Sequence, residues 1–156
     1  MNVPGLRIAV PSTPQDAYWQ LRQAIRSDDP VIVLEHELLY FSKGEVDINA
    51  SAPPLHQALA RRPGRDLTCI SYSRMVPLAL EAAEALHVEG IEMEVIDLRS
   101  LSPIDWATCV ESVLRTHRCL IVEEDCRFAG VGAELAAELQ ERCFYQLDAP
   151  VRRVAG

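Results

Sequence analysis

The sequence lacks the features by which membrane spans, secretion signals and redox dithiols are usually identified. It contains no run of about 18 uncharged apolar residues, which a membrane-spanning helix requires. Residues 1–7 contain no apolar signal core. The lack of a signal core and of a membrane span predicts a cytoplasmic protein without a membrane partner. An odd number of cysteines, with no C-x-x-C pair, predicts reduced and mostly buried thiols. They are Cys69, Cys109, Cys119, Cys126 and Cys143.

Positive charge is also scarce. The 156 residues include 15 Lys and Arg against 23 Asp and Glu, which gives a formal net charge of -8. This charge repels phosphate backbones, so we expect no nucleic-acid partner. What the chain does contain is apolar material, 49% of its residues, which is enough for one α/β core.

Metal-ligating and nucleophilic patterns are weak. The four histidines form no i, i+4 pair, so their spacing predicts no metal site. Cys126 follows three acidic residues, which oppose formation of a thiolate and therefore a role as nucleophile. Glu35, His36 and Glu37 end an apolar run and could stand at a subunit boundary or at a cleft mouth, but the sequence assigns them no proton-transfer role. The histidines are His36, His56, His87 and His117.

One glycine-rich turn, Gly130-Val131-Gly132, lies after an apolar run and at a helix start, as a dinucleotide fingerprint does. Leu135 occupies the third glycine position of that fingerprint, and residues 126–129 lengthen a turn that should be tight. We therefore interpret the segment as a glycine hinge that allows close helix packing.

Short apolar runs alternate with helical periodicity along most of the chain. Strands of this spacing, separated by helices, require parallel pairing with right-handed crossovers. The fold class predicted is α/β, a three-layer α/β/α arrangement with a mostly parallel sheet. Strands are predicted at residues 8–10, 31–34, 67–72, 91–98 and 119–123, and helices at 14–26, 78–89, 104–116 and 132–142.

Local signals set several helix boundaries. Thr13-Pro14-Gln15-Asp16 places a hydroxyl at the N-cap and a carboxylate in the first turn. Ser102-Pro103-Ile104-Asp105 repeats this pattern and predicts a second helix start. Gly90 stands where a left-handed C-terminal cap is expected. One apolar face is predicted for the helix at 78–89, formed by Leu78, Ala82, Ala85 and Leu86.

Between residues 42 and 66 the periodicity lapses, and Pro53-Pro54 and Pro63-Gly64 interrupt it. This segment predicts a linker between two units. Arg61, Arg62 and Arg65 form a basic cluster within it, which we interpret as part of a solvated surface loop rather than a specific binding site.

Several short segments resemble, in order and spacing, the beta subunits of the decarboxylating component of pyruvate dehydrogenase-type complexes, including branched-chain and acetoin relatives. The resemblance covers nearly the whole chain. Its segments are Pro11-Ser12-Thr13-Pro14-Gln15-Asp16-Ala17, Asp29-Pro30-Val31-Ile32, Ser71-Tyr72-Ser73-Arg74-Met75-Val76, Val95-Ile96-Asp97-Leu98-Arg99-Ser100-Leu101-Ser102-Pro103, Val131-Gly132-Ala133-Glu134 and Leu147-Asp148-Ala149-Pro150-Val151.

The resemblance implies a domain organisation. Residues 1–41 would be a β-α-β remnant of the family's pyrimidine-binding domain, residues 42–66 a linker, and residues 67–156 a transketolase C-terminal-like domain, truncated at its C-terminus. The parent enzyme would decarboxylate a 2-oxo acid on thiamine diphosphate and pass the acyl group to an acyltransferase core. The cofactor would lie between alpha and beta subunits, and the family's activating glutamate would lie upstream of Met1.

No catalytic or cofactor-binding residue is therefore assigned, and thiamine diphosphate is not expected to bind this chain alone. The resemblance also implies a potassium site at Ala24, Ile25, Ser27 and Asp29, with Ser27 in place of the family's aspartate. An ordinary helix C-terminus followed by a turn accounts equally well for these residues.

Two functions remain open from the sequence. The leading hypothesis is a fragment that serves subunit assembly, with itself, an alpha subunit and the acyltransferase core as partners. The alternative is a stand-alone module that binds a small anion near Ser73, Arg99 and Arg127, at the carboxyl ends of strands. A third reading, an enzyme completed by another chain, is not expected to give turnover.

Overall fold

The computed structural model describes residues 3–156. Its elements follow the alternation of strand and helix that the sequence predicts. In chain order they are β1 (Arg7–Ala9), α1 (Pro14–Ile25), β2 (Val31–Val33), a 3-10 helix (Glu37–Leu39), β3 (Leu59–Arg62), β4 (Leu67–Ser71), α2 (Met75–Val88), β5 (Met93–Asp97), β6 (Ser100–Ser102), α3 (Trp106–Thr116), β7 (Cys119–Val122), α4 (Val131–Arg142) and β8 (Arg152–Val154).

The larger sheet has the strand order β3-β5-β4-β7-β8 and is parallel except for β3. Helix α2 packs on one face, where Ala79 and Ala83 meet the side chains of β4 and β5. Helices α3 and α4 cover the other face, where Val113 and Leu135 join the main apolar cluster. Helices on both faces of a mostly parallel sheet confirm the predicted three-layer α/β/α class.

The smaller sheet has the order β2-β1-β6. Strands β1 and β2, which are connected by α1, pair in parallel. Strand β6, which follows β5 in the chain, pairs antiparallel with β1. Ile8 and Val10 belong to the same apolar cluster as Ile70 and Ile96 of the larger sheet. The N-terminal β-α-β unit therefore shares a core with the rest of the chain.

The start of α1 is as predicted, because the Thr13 side chain accepts a hydrogen bond from the Asp16 N–H at 3.1 Å. The predicted start of the third helix is wrong. Ser102 lies in β6, where its hydroxyl donates to the Leu6 carbonyl at 2.8 Å. Asp105 is the N-cap instead, and α3 begins at Trp106.

The predicted apolar face of α2 is only partly the face that packs on the sheet, because Leu86 joins the apolar cluster there but the two predicted alanines do not. The structure buries Val76, Ala79 and Ala83, whereas Ala82 and Ala85 are exposed. Because α2 is apolar on most of its circumference, periodicity does not select one face. Packing against the sheet determines the buried face, because the small side chains of Ala79 and Ala83 allow the helix to approach β4 and β5 closely. Gly90 does adopt the predicted left-handed conformation, with φ of 84°.

The segment 42–66 is not entirely irregular. Leu59–Arg62 form β3 and pair antiparallel with β5 in the larger sheet, and Leu55 and Ala58 are buried. Strand β8 was also missed, because two of its three residues are arginines at the sheet edge. The domain division at residues 41 and 66 stays a prediction.

Candidate functional site

The carboxyl ends of β1, β2, β4 and β7 meet at a cleft with a volume of about 430 Å³. This is the edge at which open α/β sheets usually hold ligands. We call it the strand-end cleft. Its lining includes Val10, Glu35, His36, Tyr72, Ser73, Arg74 and Glu124.

His36 joins the two sides of the strand-end cleft. Its Nε2 atom lies 2.8 Å from Glu124 Oε2, and its Nδ1 atom accepts the Leu38 N–H at 3.1 Å. The proton of a neutral imidazole therefore resides on Nε2 and is donated to Glu124. Because both ring nitrogens are engaged within the protein, His36 is not poised to take a proton from a ligand.

Ser73 and Arg74 lie where α2 begins. Ser73 has a positive φ of 50°, and the N-terminus of α2 has no side-chain cap. The neighbouring Tyr72 hydroxyl donates to Glu123 Oε2 at 3.4 Å. Burial, with a contribution from the Glu123 charge, raises the pKa of Tyr72 well above its usual range, so the phenol stays protonated and acts as a donor.

Glu123 is fully enclosed beneath the cleft. Its Oε2 atom accepts the Gly132 N–H at 2.7 Å, and its Oε1 atom accepts from Arg153 Nη2 at 2.8 Å. The chain's own carboxylate thus occupies the positive end of α4. A cofactor phosphate at this helix end would have to displace Glu123. The close approach of Gly132 to Glu123 agrees with the interpretation of Gly130-Val131-Gly132 as a close-packing hinge, and the absence of a dinucleotide site stays a prediction.

A buried ion network lies between α1 and the larger sheet. Arg99 Nε donates to Asp16 Oδ1 at 2.8 Å, and both side chains are completely buried. Arg61 Nη2 contacts Asp16 and donates to Asp97 Oδ2 at 2.8 Å. Burial raises the pKa of Asp97, against the opposing effect of the Arg61 charge. We call these four residues the interface ion network.

The basic cluster is not the solvated surface loop that the sequence suggested, because two of its three arginines pair with carboxylates. Arg61 is held by two buried aspartates, and Arg62 pairs with Glu84 at 3.1 Å and Glu92 at 2.9 Å. Only Arg65 extends into solvent, with 81% of its side chain exposed. The sequence could not reveal these partners, because they lie on elements distant in the chain.

The network also bears on the predicted anion site. Arg99 donates to the Pro54 and Gln57 carbonyls as well as to Asp16, so it cannot reach a ligand in solvent. Arg127 donates to the Arg153 carbonyl at 3.2 Å. Ser73 does line the strand-end cleft. The structure therefore does not bring the three predicted anion contacts together.

The predicted potassium positions lie at the end of α1. The Ala24 carbonyl accepts the Ser27 N–H at 3.2 Å, and the Ser27 hydroxyl accepts the Asp29 N–H at 3.2 Å. The Asp29 carboxylate pairs with Arg7 at 2.7 Å. These contacts are those of a helix end and turn, and the potassium site stays a prediction.

Residues 3–156 contain no group of three or more His, Cys, Asp or Glu side chains arranged to hold a metal ion. Within the same range, no helix has the length and apolar character needed to cross a bilayer.

Comparison with known proteins identifies the family. The family model described as transketolase, C-terminal domain, matches residues 56–156. The chain belongs to this family. The match begins within the segment interpreted as a linker, just before β3, which is consistent with β3 being part of the larger sheet.

Curated relatives carry the resemblance across the whole chain. The chain is 50% identical over 97% of its length to a pyruvate dehydrogenase E1 component subunit beta of Leifsonia xyli, and it covers 45% of that protein. It is 46% identical over 100% of its length to a 3-methyl-2-oxobutanoate dehydrogenase subunit beta of Mycobacterium tuberculosis, again covering 45%. These relatives confirm the resemblance inferred from the sequence. The chain spans about half the length of the curated relatives it matches.

A solved structure shows the same fold. It is described as a split gene transketolase, inactive beta4 tetramer, and superposes with a TM-score of 0.75 at 26% identity. The superposition covers 99% of this chain and 49% of the other. A transketolase-like arrangement therefore includes the N-terminal β-α-β unit as well as the larger sheet.

Proposed function

We propose that this chain serves the assembly of a thiamine diphosphate-dependent 2-oxo acid dehydrogenase, as part of a beta subunit, and does not catalyse decarboxylation alone. One observation carries this proposal. Three ionisable groups in and beneath the strand-end cleft are held by other parts of the chain. His36 contacts Glu124 and the Leu38 N–H, and Glu123 accepts the Gly132 N–H. Satisfied contacts of this kind hold the cleft in a fixed shape, as a structural part of a larger assembly requires.

Exposed apolar surface supports an assembly role. One stretch of it lies on β2 and the segment that follows, where five large apolar side chains are 40–89% exposed. Burial of such surface against another chain would be favourable by about 25 cal/mol per Å². The exposed residues are Ile32, Leu34, Leu38, Tyr40 and Phe41.

The proposal includes partners and a compartment. They are a second copy of the chain, an alpha subunit and an acyltransferase core, and the compartment is the cytoplasm. The names of the relatives, which include pyruvate and branched-chain 2-oxo acid dehydrogenase beta subunits, support this class of complex. Thiamine diphosphate would act in the complete enzyme, between subunits, and would not bind this chain alone.

The small-anion module is the competing proposal. The N-terminus of α2 has no side-chain cap and Arg74 lies beside it, which favours an anion there. Glu35, Glu124 and Asp125 line the same cleft and repel anions, so this alternative is the weaker one. Titration calorimetry with inorganic phosphate and with thiamine diphosphate separates the two, since the assembly proposal predicts no measurable heat from either ligand.

A reconstitution experiment tests the assembly proposal. The purified chain is mixed with the alpha subunit of one of the relatives, and both the molar mass of the complex and carbon dioxide release from pyruvate or 3-methyl-2-oxobutanoate are measured. We expect association without turnover. Decarboxylation by the chain alone would overturn the proposal, and so would failure to associate with either itself or the alpha subunit.

A further inference from the structure

His36 makes two contacts with opposite proton requirements at the strand-end cleft. Its Nδ1 atom accepts the Leu38 N–H at 3.1 Å and so caps the 3-10 helix Glu37–Leu39. Its Nε2 atom lies 2.8 Å from Glu124 Oε2, in the segment that follows β7. The first contact needs a ring nitrogen without a proton, and the second needs a ring nitrogen that carries one. The neutral imidazole with its proton on Nε2 satisfies both.

Protonation of His36 would break the first contact and keep the second. Both ring nitrogens of an imidazolium are donors, so the Nδ1–H group would face the Leu38 N–H with no acceptor between them. The contact with the Glu124 carboxylate would become a charged hydrogen bond and hold the ring in place. Because the ring is held, the Leu38 amide has to move. Histidine changes charge between pH 5 and 8, and 24% of the His36 side chain is exposed to supply the proton from water.

We propose that residues 36–42 are a pH-sensitive segment, held against the strand-end cleft while His36 is neutral and released when it is protonated. This inference goes beyond the proposed assembly function and does not depend on it. The turns of the segment continue from His36, whose carbonyl accepts the Leu39 N–H at 2.9 Å. The Ser42 N–H then donates to the Leu39 carbonyl at 3.0 Å. Movement at Leu38 is therefore passed along the segment.

Release of the segment would change the shape of two cavities. A cavity of about 310 Å³ lies between the start of α1 and the segment, where Leu39 and Tyr40 form part of its lining. Glu35 and His36 line both this cavity and the strand-end cleft. Because the two spaces share these residues, displacement of the segment would join them.

Other charged and titratable groups surround His36 and act on its charge. Three belong to its own segment and the end of β2, two lie at the junction of β4 and α2, and two follow β7. Within the described range 3–156, Glu124 is the one whose side chain the ring contacts, so it is the group to vary. The seven groups are Glu35, Glu37, Tyr40, Tyr72, Arg74, Glu124 and Asp125.

Nuclear magnetic resonance between pH 5 and 8 follows the proton and the segment separately. The ¹⁵N shifts of the ring show which nitrogen carries the proton. Hydrogen exchange of the Leu38 amide, corrected for the intrinsic pH dependence of exchange, shows whether its hydrogen bond is intact. We expect the protection of Leu38 to fall about fivefold or more as His36 becomes protonated, which is the change that loss of one hydrogen bond gives.

His117 is an internal control. Its Nδ1 atom lies 2.8 Å from the Gln146 carbonyl, so it donates there in both charge states. The Asp148 N–H donates to the His117 carbonyl at 2.9 Å. Protonation of His117 removes no acceptor, and we expect the Asp148 amide to keep its protection over the same pH range.

Two variants separate the proton from the cap. His36→Asn keeps a side-chain acceptor for the Leu38 N–H but does not titrate, so its Leu38 protection should not change with pH. Glu124→Gln keeps an acceptor for the ring but removes the charge, so the pH at which Leu38 loses protection should fall by about half a unit.

Several outcomes would overturn the inference. One is a proton on Nδ1 of the neutral ring, and another is Leu38 protection that stays constant while His36 becomes protonated. The same pH dependence in His36→Asn as in the wild type would assign the effect to another group. An unchanged midpoint in Glu124→Gln would show that Glu124 does not hold the ring. None of these results bears on association with other subunits, so the assembly proposal is tested separately.

Discussion

The carboxylate of Glu123 accepts the backbone N–H of Gly132 at 2.7 Å, so close that a β-carbon on Gly132 would lie 2.3 Å from Glu123 Oε1. No side chain can occupy that space without moving the glutamate. The glycine therefore serves the chain's own buried carboxylate. It fixes where α4 begins relative to β7, and with it one wall of the strand-end cleft.

Replacing Gly132 with alanine should lower the free energy of unfolding by about 1–3 kcal/mol, because overpacking forces Glu123 out of its position. Urea unfolding of the wild type and variant measures the loss. The double variant Glu123→Ala/Gly132→Ala is the control, since the added methyl then meets no carboxylate. If Gly132→Ala costs as much without Glu123 as with it, the proposed contact is not the cause.

The sequence predicted features that depend on neighbouring residues. Thr13 and Asp16 are three positions apart, and the cap that they form needs nothing else from the fold. The left-handed turn at Gly90 is likewise local. The alternation of strands and helices was enough to predict the layers, because parallel strands of that spacing have few other arrangements.

Features that depend on distant partners were missed. Arg61 looked solvated because its partners, Asp16 and Asp97, lie on α1 and β5. The buried face of α2 depends on which side chains the sheet accepts at close range. Strand β8 forms only because the edge of β7 is there to pair with it. Of the two locations that the sequence left open for Glu35 and His36, a subunit boundary or a cleft mouth, the structure shows them lining the strand-end cleft. The sequence gave no sign that Glu124 would contact His36.

Removal of one partner from the interface ion network should lower the free energy of unfolding. Arg99→Met removes one of the two arginines that pair with the buried Asp16, the one at 2.8 Å, and leaves Arg61 as the remaining partner. Losses of up to about 3–5 kcal/mol are typical when a buried ion pair loses one partner. Chemical denaturation provides the measurement. Arg118→Met is the matched control, because Arg118 and its partner Asp148 are more than half exposed and the pair should contribute at most about 1 kcal/mol. Equal losses in the two variants would contradict a structural role for the network.

The thiols should differ sharply in reactivity. Burial raises the pKa of Cys69 and Cys109 to about 12, and it also raises the pKa of Cys119 and Cys143. Cys126 is the exposed cysteine. A thiol reagent such as Ellman's should therefore titrate one group in the native chain and all five in denaturant, and Cys126→Ser should abolish the native reaction. Rapid native modification of further thiols would show that the apolar cluster opens readily.

Potassium dependence tests the predicted site at the end of α1. Carbonyl and hydroxyl oxygens suit a hard cation, and Ser27→Asp would add the charge that the family pattern has at this position. Thermal unfolding in potassium chloride and in sodium chloride of equal concentration compares the two ions. We expect potassium to raise the melting temperature more than sodium, and the difference to grow in Ser27→Asp. If the melting temperatures of the wild type and of Ser27→Asp are the same in both salts, these positions do not bind potassium.

Because Asp105 caps α3 as a carboxylate, the free energy of unfolding should fall as the pH becomes acidic. Partial burial alone would raise the pKa of Asp105, but hydrogen bonds from the Thr108 hydroxyl at 2.7 Å and from the Thr108 and Ala58 N–H groups outweigh it, and the pKa is lowered. Because the native pKa lies below the unfolded value of about 3.9, this stabilisation is complete above that value and is lost as pH falls through the native pKa. Asp105→Asn should cost up to about 2 kcal/mol at neutral pH, and less in acid. Denaturation curves across this pH range measure the change, and Thr108→Val should reduce the acid dependence without removing it. A loss for Asp105→Asn that is the same at every pH would show that the carboxylate is not a charged cap.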